Sequence, residues 1–539
     1  MDKTSVVIIG GGCTGTGILW DLSLRGIPAV LFEQKDLANG ATGRCHGLLH
    51  SGGRYSVKDV AAANECVKEN VILKRIAATC IEDTGGYFVH YNQDDPEYVK
   101  NWVAGSKAAG IPIEEVSPRE ALEAEPLLPK DIKVAYAAPD AHVNVFRLTV
   151  ANAQAAIERG ARLKTYTEIT SIQLNGRKVE GVHYRDILTG EQGYLECEVI
   201  INAAGPWADK VASLAGISVP MRCDRGALVI VNHRLSTRVI NRCRKPGDGD
   251  VIVPGGPVSI LGTTSVTVSG PEDLAVKPGE IEYLLGLGSE LIPAMAEARV
   301  IRSFCGTRPL YTPKAAANAG GREISRNFAL LNHKELDGLE GFISIVGGKL
   351  TTYRLMAETT TDLVCRKLDI HETCSTDRVP LRATASDSVL AKARKRLSSA
   401  AVAKAHRRMG KDLALVVEAI EKDPYLADIV CDCELVSRAE LNTVLDDSAA
   451  VPVRTLIDVS RRTRLGFGPC QGTFCGYKAM LAGYQARKWS ADEACKQLEE
   501  FLEVRWRGDQ FIPPGKQDEQ THLSRNLYEV SLALGKSRE

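Results

Sequence analysis

The stretch Thr4-Ser5-Val6-Val7-Ile8-Ile9-Gly10-Gly11-Gly12-Cys13-Thr14-Gly15 sets a β-branched apolar run directly against a glycine cluster. A near-continuous apolar run suits a parallel strand buried on both faces. Residues 13–25 read as a helix closed by Gly26, and residues 28–33 as a second buried strand ending in Glu33. This is a β-α-β unit, and it predicts an α/β fold. Gly10, Gly12 and Gly15 fit the Gly-x-Gly-x-x-Gly pattern. Such glycines permit a tight turn and let backbone N–H groups approach a pyrophosphate at a helix start. Glu33 lies 18 residues beyond Gly15, where a carboxylate can accept ribose hydroxyls. A strand before, a helix after and an acid at the next strand end favour a dinucleotide site over a ligand-free glycine turn.

The chain has 539 residues, enough for two or three domains. Sixty-seven basic residues balance sixty-seven acidic ones. That excludes a broad electrostatic grip on nucleic acid or anionic lipid and leaves room for a local basic pocket. No apolar run approaches the length of a membrane-spanning helix, and no secretion signal opens the chain. Eleven of the fifteen cysteines are scattered and read as small buried hydrophobes in a reducing compartment, so cytoplasm is the expected address.

Further along, residues 58–80 and 146–158 read as helices, residues 176–186 and 193–202 as strands, and residues 227–263 as β-rich. Residues 278–292 suggest a helix, and residues 86–145 break into short pieces. Residues 199–205 form an apolar strand ending in small residues at Gly205. Residues 341–346 run into Gly347-Gly348-Lys349-Leu350-Thr351-Thr352, ahead of a helix over 352–367. Three strand-to-glycine approaches so far apart suit an extended FAD buried in the chain rather than NAD. Residues 370–400 turn polar and read as a linker with a helical stretch.

Beyond these local readings, the chain resembles a family. The stretches Gly43-Arg44-Cys45-His46-Gly47-Leu48-Leu49-His50-Ser51-Gly52-Gly53-Arg54-Tyr55, Asn241-Arg242-Cys243-Arg244-Lys245-Pro246 and Gly347 through Arg354 carry the likeness. They resemble the FAD-dependent glycerol-3-phosphate dehydrogenases, and more closely the catalytic A component of the anaerobic three-subunit enzymes than the aerobic ones. The resemblance implies a glutathione-reductase-type (Rossmann-like) FAD domain over 1–85, 146–220 and 321–369. It would interleave with a β-rich substrate cap over 86–145 and 221–320. A linker and helical segment over 370–424, a small helical iron–sulfur domain over 425–505 and a tail over 506–539 would follow. Implied FAD contacts are Gly10, Gly12, Gly15, Glu33, Thr42, Gly43, Gly205, Gly347, Gly348, Leu350 and Thr351.

The implied reaction is oxidation of sn-glycerol 3-phosphate to dihydroxyacetone phosphate. A phosphate ester requires cationic donors; Arg54, Tyr55, Arg308 and Arg326 match the family's substrate positions, and Lys349, following the glycine turn, is a further candidate. A base must take the hydroxyl proton, and histidine is the usual choice near neutral pH. The aerobic branch carries a Ser-His pair on a cap strand; here that position reads Arg225-Gly226-Ala227-Leu228. His46 and His50 are the remaining candidates, with Arg308 as an alternative that stabilises the developing alkoxide. A dehydrogenase of an amine, opine or hydroxy acid on the same scaffold, or a non-catalytic electron-transfer protein, stays open.

The other four cysteines form two tight pairs, Cys431-Asp-Cys433 and Cys470-Gln-Gly-Thr-Phe-Cys475. Four thiolates are the complement of a [2Fe–2S] cluster. Zinc also takes four cysteines, but its pairs are usually two to four residues apart, which fits Cys-x-Cys less well. Gly466, Gly468 and Gly472 leave backbone amides free to bond cluster sulfurs. The region resembles the domain related to bacterioferritin-associated ferredoxin, with Cys-x4-Cys where that family usually closes with Cys-x-x-Cys. The resemblance further implies a quinone acceptor, a second flavin-associated subunit, and an iron–sulfur membrane-anchor subunit. The chain would sit on the inner face of the cell membrane through a partner.

Overall fold

A computed structural model describes residues 3–313, 327–507, 516–532 and 534. The apolar run near the start forms the strand Lys3–Ile9, and the glycine turn leads into the helix Cys13–Leu24 and the strand Ala29–Phe32. Lys3–Ile9 pairs in parallel with Ala29–Phe32 on one side and Gln192–Asn202 on the other. Gln192–Asn202 in turn pairs in parallel with Phe342–Gly347. Strands Thr167–Asn175 and Lys178–Asp186 extend one edge, and Arg162–Lys164 the other.

Alternation along these strands fills two cores. Ile8, Leu31, Ile201 and Ile343 pack against the helices Cys13–Leu24, Val145–Ile157 and Tyr353–Leu368. Val7, Val30, Ile200 and Phe342 face the opposite side, with Leu195, Ala208 and Ala212. The strands are therefore apolar at consecutive positions because each face meets its own layer.

A second sheet runs from Glu114–Val116 through Ile132–Ala138, Gly86–Tyr91, Val239–Arg242, Val251–Gly255 and Val258–Gly262 to Met221–Val231. The strand Val300–Tyr311 pairs along the whole of Met221–Val231. The helix Glu280–Leu291 covers one face of this sheet with Ile281, Leu284 and Leu291.

The stretch 370–424, expected as a linker with a helical segment, holds three packed helices, Asp387–Ala393, Ser399–Met409 and Leu413–Lys422. Its polar average conceals a narrow stripe: Ala401, Val402, Ala405 and Met409 lie one turn apart and bury against Leu413, Val416 and Ile420. The cysteine region adds the helices Arg438–Leu445, Leu456–Thr463, Gly476–Gln485 and Ala491–Arg507 around Leu456, Val459, Leu498 and Phe501. A last helix, Lys516–Ser531, lays the Tyr528 hydroxyl on the Thr473 carbonyl.

The cysteine region docks on the first sheet through charge. Asp36, just past the second strand and almost fully buried, accepts from Arg462 at 2.6 and 3.0 Å and from Arg461 at 3.3 Å. Alongside, the Tyr166 hydroxyl donates to Asp458 at 2.8 Å. Asp36→Ala removes a carboxylate that two arginines share in a dry seam, and it should cost about 3–5 kcal/mol. The arginines hold the Asp36 carboxyl below the ordinary carboxylate range. Its contribution is thus complete at neutral pH and lost only as pH falls through that lowered value. Thermal unfolding of wild type and variant between pH 7 and pH 3 checks both; equal stability at pH 7 would refute the assignment.

Candidate active site

The first glycine turn is closed by backbone contacts that admit no side chain. A Cβ on Gly15 would lie 1.9 Å from the Gly10 carbonyl oxygen, and one on Gly10 would lie 2.6 Å from the Ala203 oxygen. The helix after it starts at Gly12, which has no side chain to cap it. Thr42 reaches across, its hydroxyl accepting from Cys13 N–H at 3.2 Å. Glu33 accepts from the N–H groups of Gly11 at 2.6 Å and Lys35 at 2.9 Å, while burial pushes its carboxyl up.

Parallel register brings the other two glycine turns to the same sheet edge: Ile9 pairs with Asn202, and Asn202 with Ser344. Gly205 opens a short turn beyond Asn202, and Gly347-Gly348 follow the third strand. Both Gly347 and Gly348 adopt φ near +77°, and a Cβ on Gly348 would lie 2.4 Å from Met356 Sδ. Leu350 begins the helical turn Leu350–Thr352, and Thr351 Oγ1 accepts from His50 N–H at 3.0 Å. Gly43 sits in a turn where a Cβ would meet the Ala38 oxygen at 2.1 Å. A helix start with glycine at its N-cap, a half-buried acid and three aligned glycine turns fit the pyrophosphate, ribose and ring of an extended FAD.

Beside this edge the two histidines meet. The His46 and His50 rings are 6.2 Å apart, and Tyr55 packs on His50 at 5.7 Å. Lys349 Nζ stands 5.1 Å over the Tyr55 ring. Burial, then the charges of Arg54 and Arg308, pushes His46 down to about 4. Burial, His46, Arg54 and Lys349 hold His50 well below its ordinary value. Both imidazoles are therefore neutral near pH 7.

Their hydrogen bonding separates them. His46 Nδ1 accepts from Leu48 N–H at 3.1 Å, which fixes its proton on Nε2. His46 is thus presented as a donor. Neither ring nitrogen of His50 has a hydrogen-bond partner among the described residues. His50 is free to accept a proton.

Arg54 comes within 3.6 Å of Asp250, which also accepts from Arg244 Nε at 3.0 Å. Arg308 is paired with Asp224 at 3.1 Å and donates to Thr263 Oγ1 and the Thr264 carbonyl. Its guanidinium still bears on His46. Arg326 lies outside the described residues. Sequence reasoning missed Asp250, which two arginines share, and Asp140, which accepts from Ser51 N–H at 2.6 Å and Asn241 at 2.9 Å. The signal for Asn241 and Arg244 was the run Asn241 through Pro246; nothing local marks Asp140 or Asp250.

Cys431 ends a short strand, Cys475 starts the helix Gly476–Gln485, and Cys433 and Cys470 Sγ are 3.8 Å apart. None of the four is in a disulfide. Contacts with Cys433 and Cys475 and the N–H groups of Phe474 and Gly472 draw the Cys470 thiol down. Cys475 and the N–H groups of Glu434 and Gly466 lower the Cys431 thiol. A Cβ on Gly468 would lie 2.3 Å from the Cys433 Cβ, so only glycine lets that loop close. The four sulfurs are neighbours. Among the described residues, however, no three or more His, Cys, Asp or Glu side chains are set to hold a metal ion as the chain stands.

A buried dinucleotide cradle opening on a basic pocket with neutral histidines defines a flavin oxidoreductase. Residues 5–354 match the family described as FAD dependent oxidoreductase, and the chain belongs to it. Within that class it belongs with the A components of the anaerobic glycerol-3-phosphate dehydrogenases. It is 40% identical to the A1 component of that enzyme from Haloferax volcanii, over 98% of this chain and 90% of that one. It is 39% identical to the A component from Escherichia coli strain K12, over 100% and 98%. Its fold is similar to the glycerol-3-phosphate dehydrogenase of Bacillus halodurans complexed with FAD. That likeness has a TM-score of 0.74 at 22% identity, covering 95% of this chain and 97% of that one.

Gly15→Ala forces a methyl group onto a backbone oxygen that cannot move away. The purified variant should carry little or no FAD, read as the ratio of flavin to protein absorbance. Full FAD content would remove the turn from the cofactor site.

Proposed function

We propose that this chain oxidises sn-glycerol 3-phosphate to dihydroxyacetone phosphate as the FAD-bearing catalytic subunit of a multi-subunit dehydrogenase. The observation that carries the reading is the convergence of Arg54, Arg308 and Lys349 on two neutral histidines. A phosphate dianion calls for several cations, whereas a single carboxylate of an amine, opine or hydroxy acid needs fewer. The full-length likeness to the A components of anaerobic glycerol-3-phosphate dehydrogenases supports the same substrate.

Bound FAD supplies the two-electron acceptor for oxidation of a secondary alcohol. The helix start at Gly12–Cys13 and Glu33 would hold it, with Thr42, Gly43, Gly205, Gly347, Gly348, Leu350 and Thr351 along its course. Arg54 and Lys349 bind the substrate phosphate, with Tyr55 fixing the position of Lys349. A ring nitrogen of His50 takes the hydroxyl proton. His46 offers its Nε2–H to the same oxygen, and Arg308 adds positive charge as an alkoxide develops.

Cys431, Cys433, Cys470 and Cys475 would hold a [2Fe–2S] cluster, which takes electrons one at a time. Neighbouring sulfurs, and amides directed at Cys431 and Cys470, support this donor set. The partners are assigned as an iron–sulfur membrane-anchor subunit together with a second flavin-associated subunit, with a quinone as final acceptor. No helix among the described residues is long and apolar enough to cross a membrane, so attachment to the inner face of the cell membrane is assigned to a partner. Anaerobic mixing of the purified protein with sn-glycerol 3-phosphate should bleach the flavin. Bleaching by an amine or hydroxy acid instead would redirect the substrate assignment.

Two further outcomes are expected. His50→Asn should slow flavin reduction roughly 100- to 10,000-fold, the usual worth of a general base. Because a base is active above its pKa, wild-type kcat/KM should stay level as pH falls through 6.5 and break only lower. A break at or above 6.5, or a variant with normal rate, would count against His50. Cys470→Ser should lose iron and the visible absorption of a [2Fe–2S] centre, since serine oxygen is a poor soft ligand. Its flavin should still be reduced in a single turnover, while turnover through partners falls sharply. Full iron with an intact partner-coupled rate, or stoichiometric zinc in anaerobically prepared wild type, would sink the cluster.

A further inference from the structure

The backbone that carries His50 has just left its strand. Leu48–Leu49 pairs with Ala141–Val143, with Leu49 opposite Ala141, and the pairing ends there. His50 and Asp140 are the next residues on the two chains as they part. Side chains from three distant elements then take over from the ladder. Thr351 Oγ1 accepts from His50 N–H at 3.0 Å, and Asn70 Nδ2 donates to the His50 carbonyl at 3.2 Å. Asp140 Oδ1 accepts from Ser51 N–H at 2.6 Å. The peptide joining His50 to Ser51 is thus gripped at both ends, by Asn70 and by Asp140.

Asp140 is the unusual member of this set. It is 1% exposed, and the donors on its oxygens are neutral: Ser51 N–H and, on Oδ2, Asn241 Nδ2 at 2.9 Å. Burial raises its carboxyl, against the Ser51 and Asn241 hydrogen bonds and, last, the charge of Arg54. Acids are seldom buried so deeply on neutral donors alone. The fold makes room for it, since a Cβ on Gly86 would lie 2.7 Å from Asp140 Cβ. The residue before it is held as well: Asn70 and Lys74 donate to the Pro139 carbonyl at 2.9 and 3.0 Å. Its second partner leads to the phosphate pocket. Asn241 lies on the strand Val239–Arg242 of the second sheet, opposite Val251. Beside Val251 stands Asp250, the carboxylate that Arg54 and Arg244 share.

We propose that Asp140 is the positioning residue for His50. One carboxylate oxygen fixes the peptide behind the base, and the other ties that peptide to the second-sheet strand next to Asp250. Base and phosphate pocket therefore keep one spacing. The proposal rests on His50 as the base. Reacting groups must be held closely, and a displacement of about 1 Å costs on the order of 100-fold in rate.

Rapid-mixing reduction of the FAD-loaded protein by sn-glycerol 3-phosphate tests this. Asp140→Ala should lower the limiting rate of flavin reduction about 10- to 100-fold, with FAD content and the half-saturating substrate concentration little changed. Asp140→Asn should restore most of the rate. Its Oδ1 still accepts from Ser51 N–H, and Asn241, whose own Oδ1 is buried without a partner, can turn to accept from the new amide. Added to His50→Asn, Asp140→Ala should cost almost nothing more, because it acts through a base already removed. A loss that adds in full to that of His50→Asn overturns the proposal, as does a wild-type rate in Asp140→Ala or an Asp140→Asn protein as slow as Asp140→Ala. A wild-type rate in His50→Asn overturns the base itself, and the proposal with it. Should Asp140→Ala fail to hold FAD, Asp140→Ser replaces it in the cycle; loss of FAD there too would make Asp140 part of the scaffold and overturn its assigned role.

Discussion

Asn202 is wholly buried at the end of its strand, and its amide donates to the Ala208 carbonyl at 2.8 Å and to Ser344 Oγ at 3.2 Å. Ser344 is also bonded to His333 at 2.9 Å, and His333 to Asp337 at 2.6 Å. The Ala208 bond is local, but Ser344 is in reach only when Gln192–Asn202 and Phe342–Gly347 pair in the observed register. A slip of one residue would carry Ser344 to the other face of the sheet and leave one N–H of the buried Asn202 amide without its partner, at a cost of about 1–3 kcal/mol. The register so fixed aligns the ends of three strands. Their glycine turns thereby become one cradle, and Thr351 is brought under the backbone of His50.

What could be read from the sequence was what is local. The β-α-β unit and its glycine turn lie within about thirty residues and obey period and turn chemistry, so strand, helix and strand emerged within a residue or two of their observed ends. The spacing of the cysteine pairs was equally plain. Residues 227–263 read as β-rich, but the assembly of the second sheet did not show, because it depends on pairings such as Gly86 with Val239, which no local pattern announces. The helices within 370–424 were hidden for a different reason: a stripe of alanines and valines one residue wide barely moves the average polarity. At the site, sequence offered His46 and His50 as equals. A single backbone N–H, that of Leu48, separates them, and its direction follows from the fold of the loop rather than from residue type. The carboxylates that hold Arg54 and Arg308, Asp250 and Asp224, were invisible because each comes from a different strand or loop of the second sheet region.

The distribution of carboxylates also separates arginines that hold the fold from those that await a ligand. Arg25 with Asp21, Arg354 with Glu69, Arg408 with Glu440 and Arg242 with Asp94 are buried pairs with direct contacts of 2.9 Å or less. Each charge is met, and each pair joins elements distant in sequence or turns of one helix. Around the histidines the ratio shifts. Arg54 and Arg244 divide one carboxylate between them, and Lys349 rests on a tyrosine ring. The formal charge of the whole chain is zero, so the imbalance is one of placement. In the buried pairs each arginine meets its own acid, whereas around the histidines Arg308 keeps Asp224 but Arg54 and Arg244 share Asp250. Burial, and after it the neighbouring positive charges, keeps both imidazoles neutral, so the charge that draws in a phosphate also helps leave His50 able to take a proton.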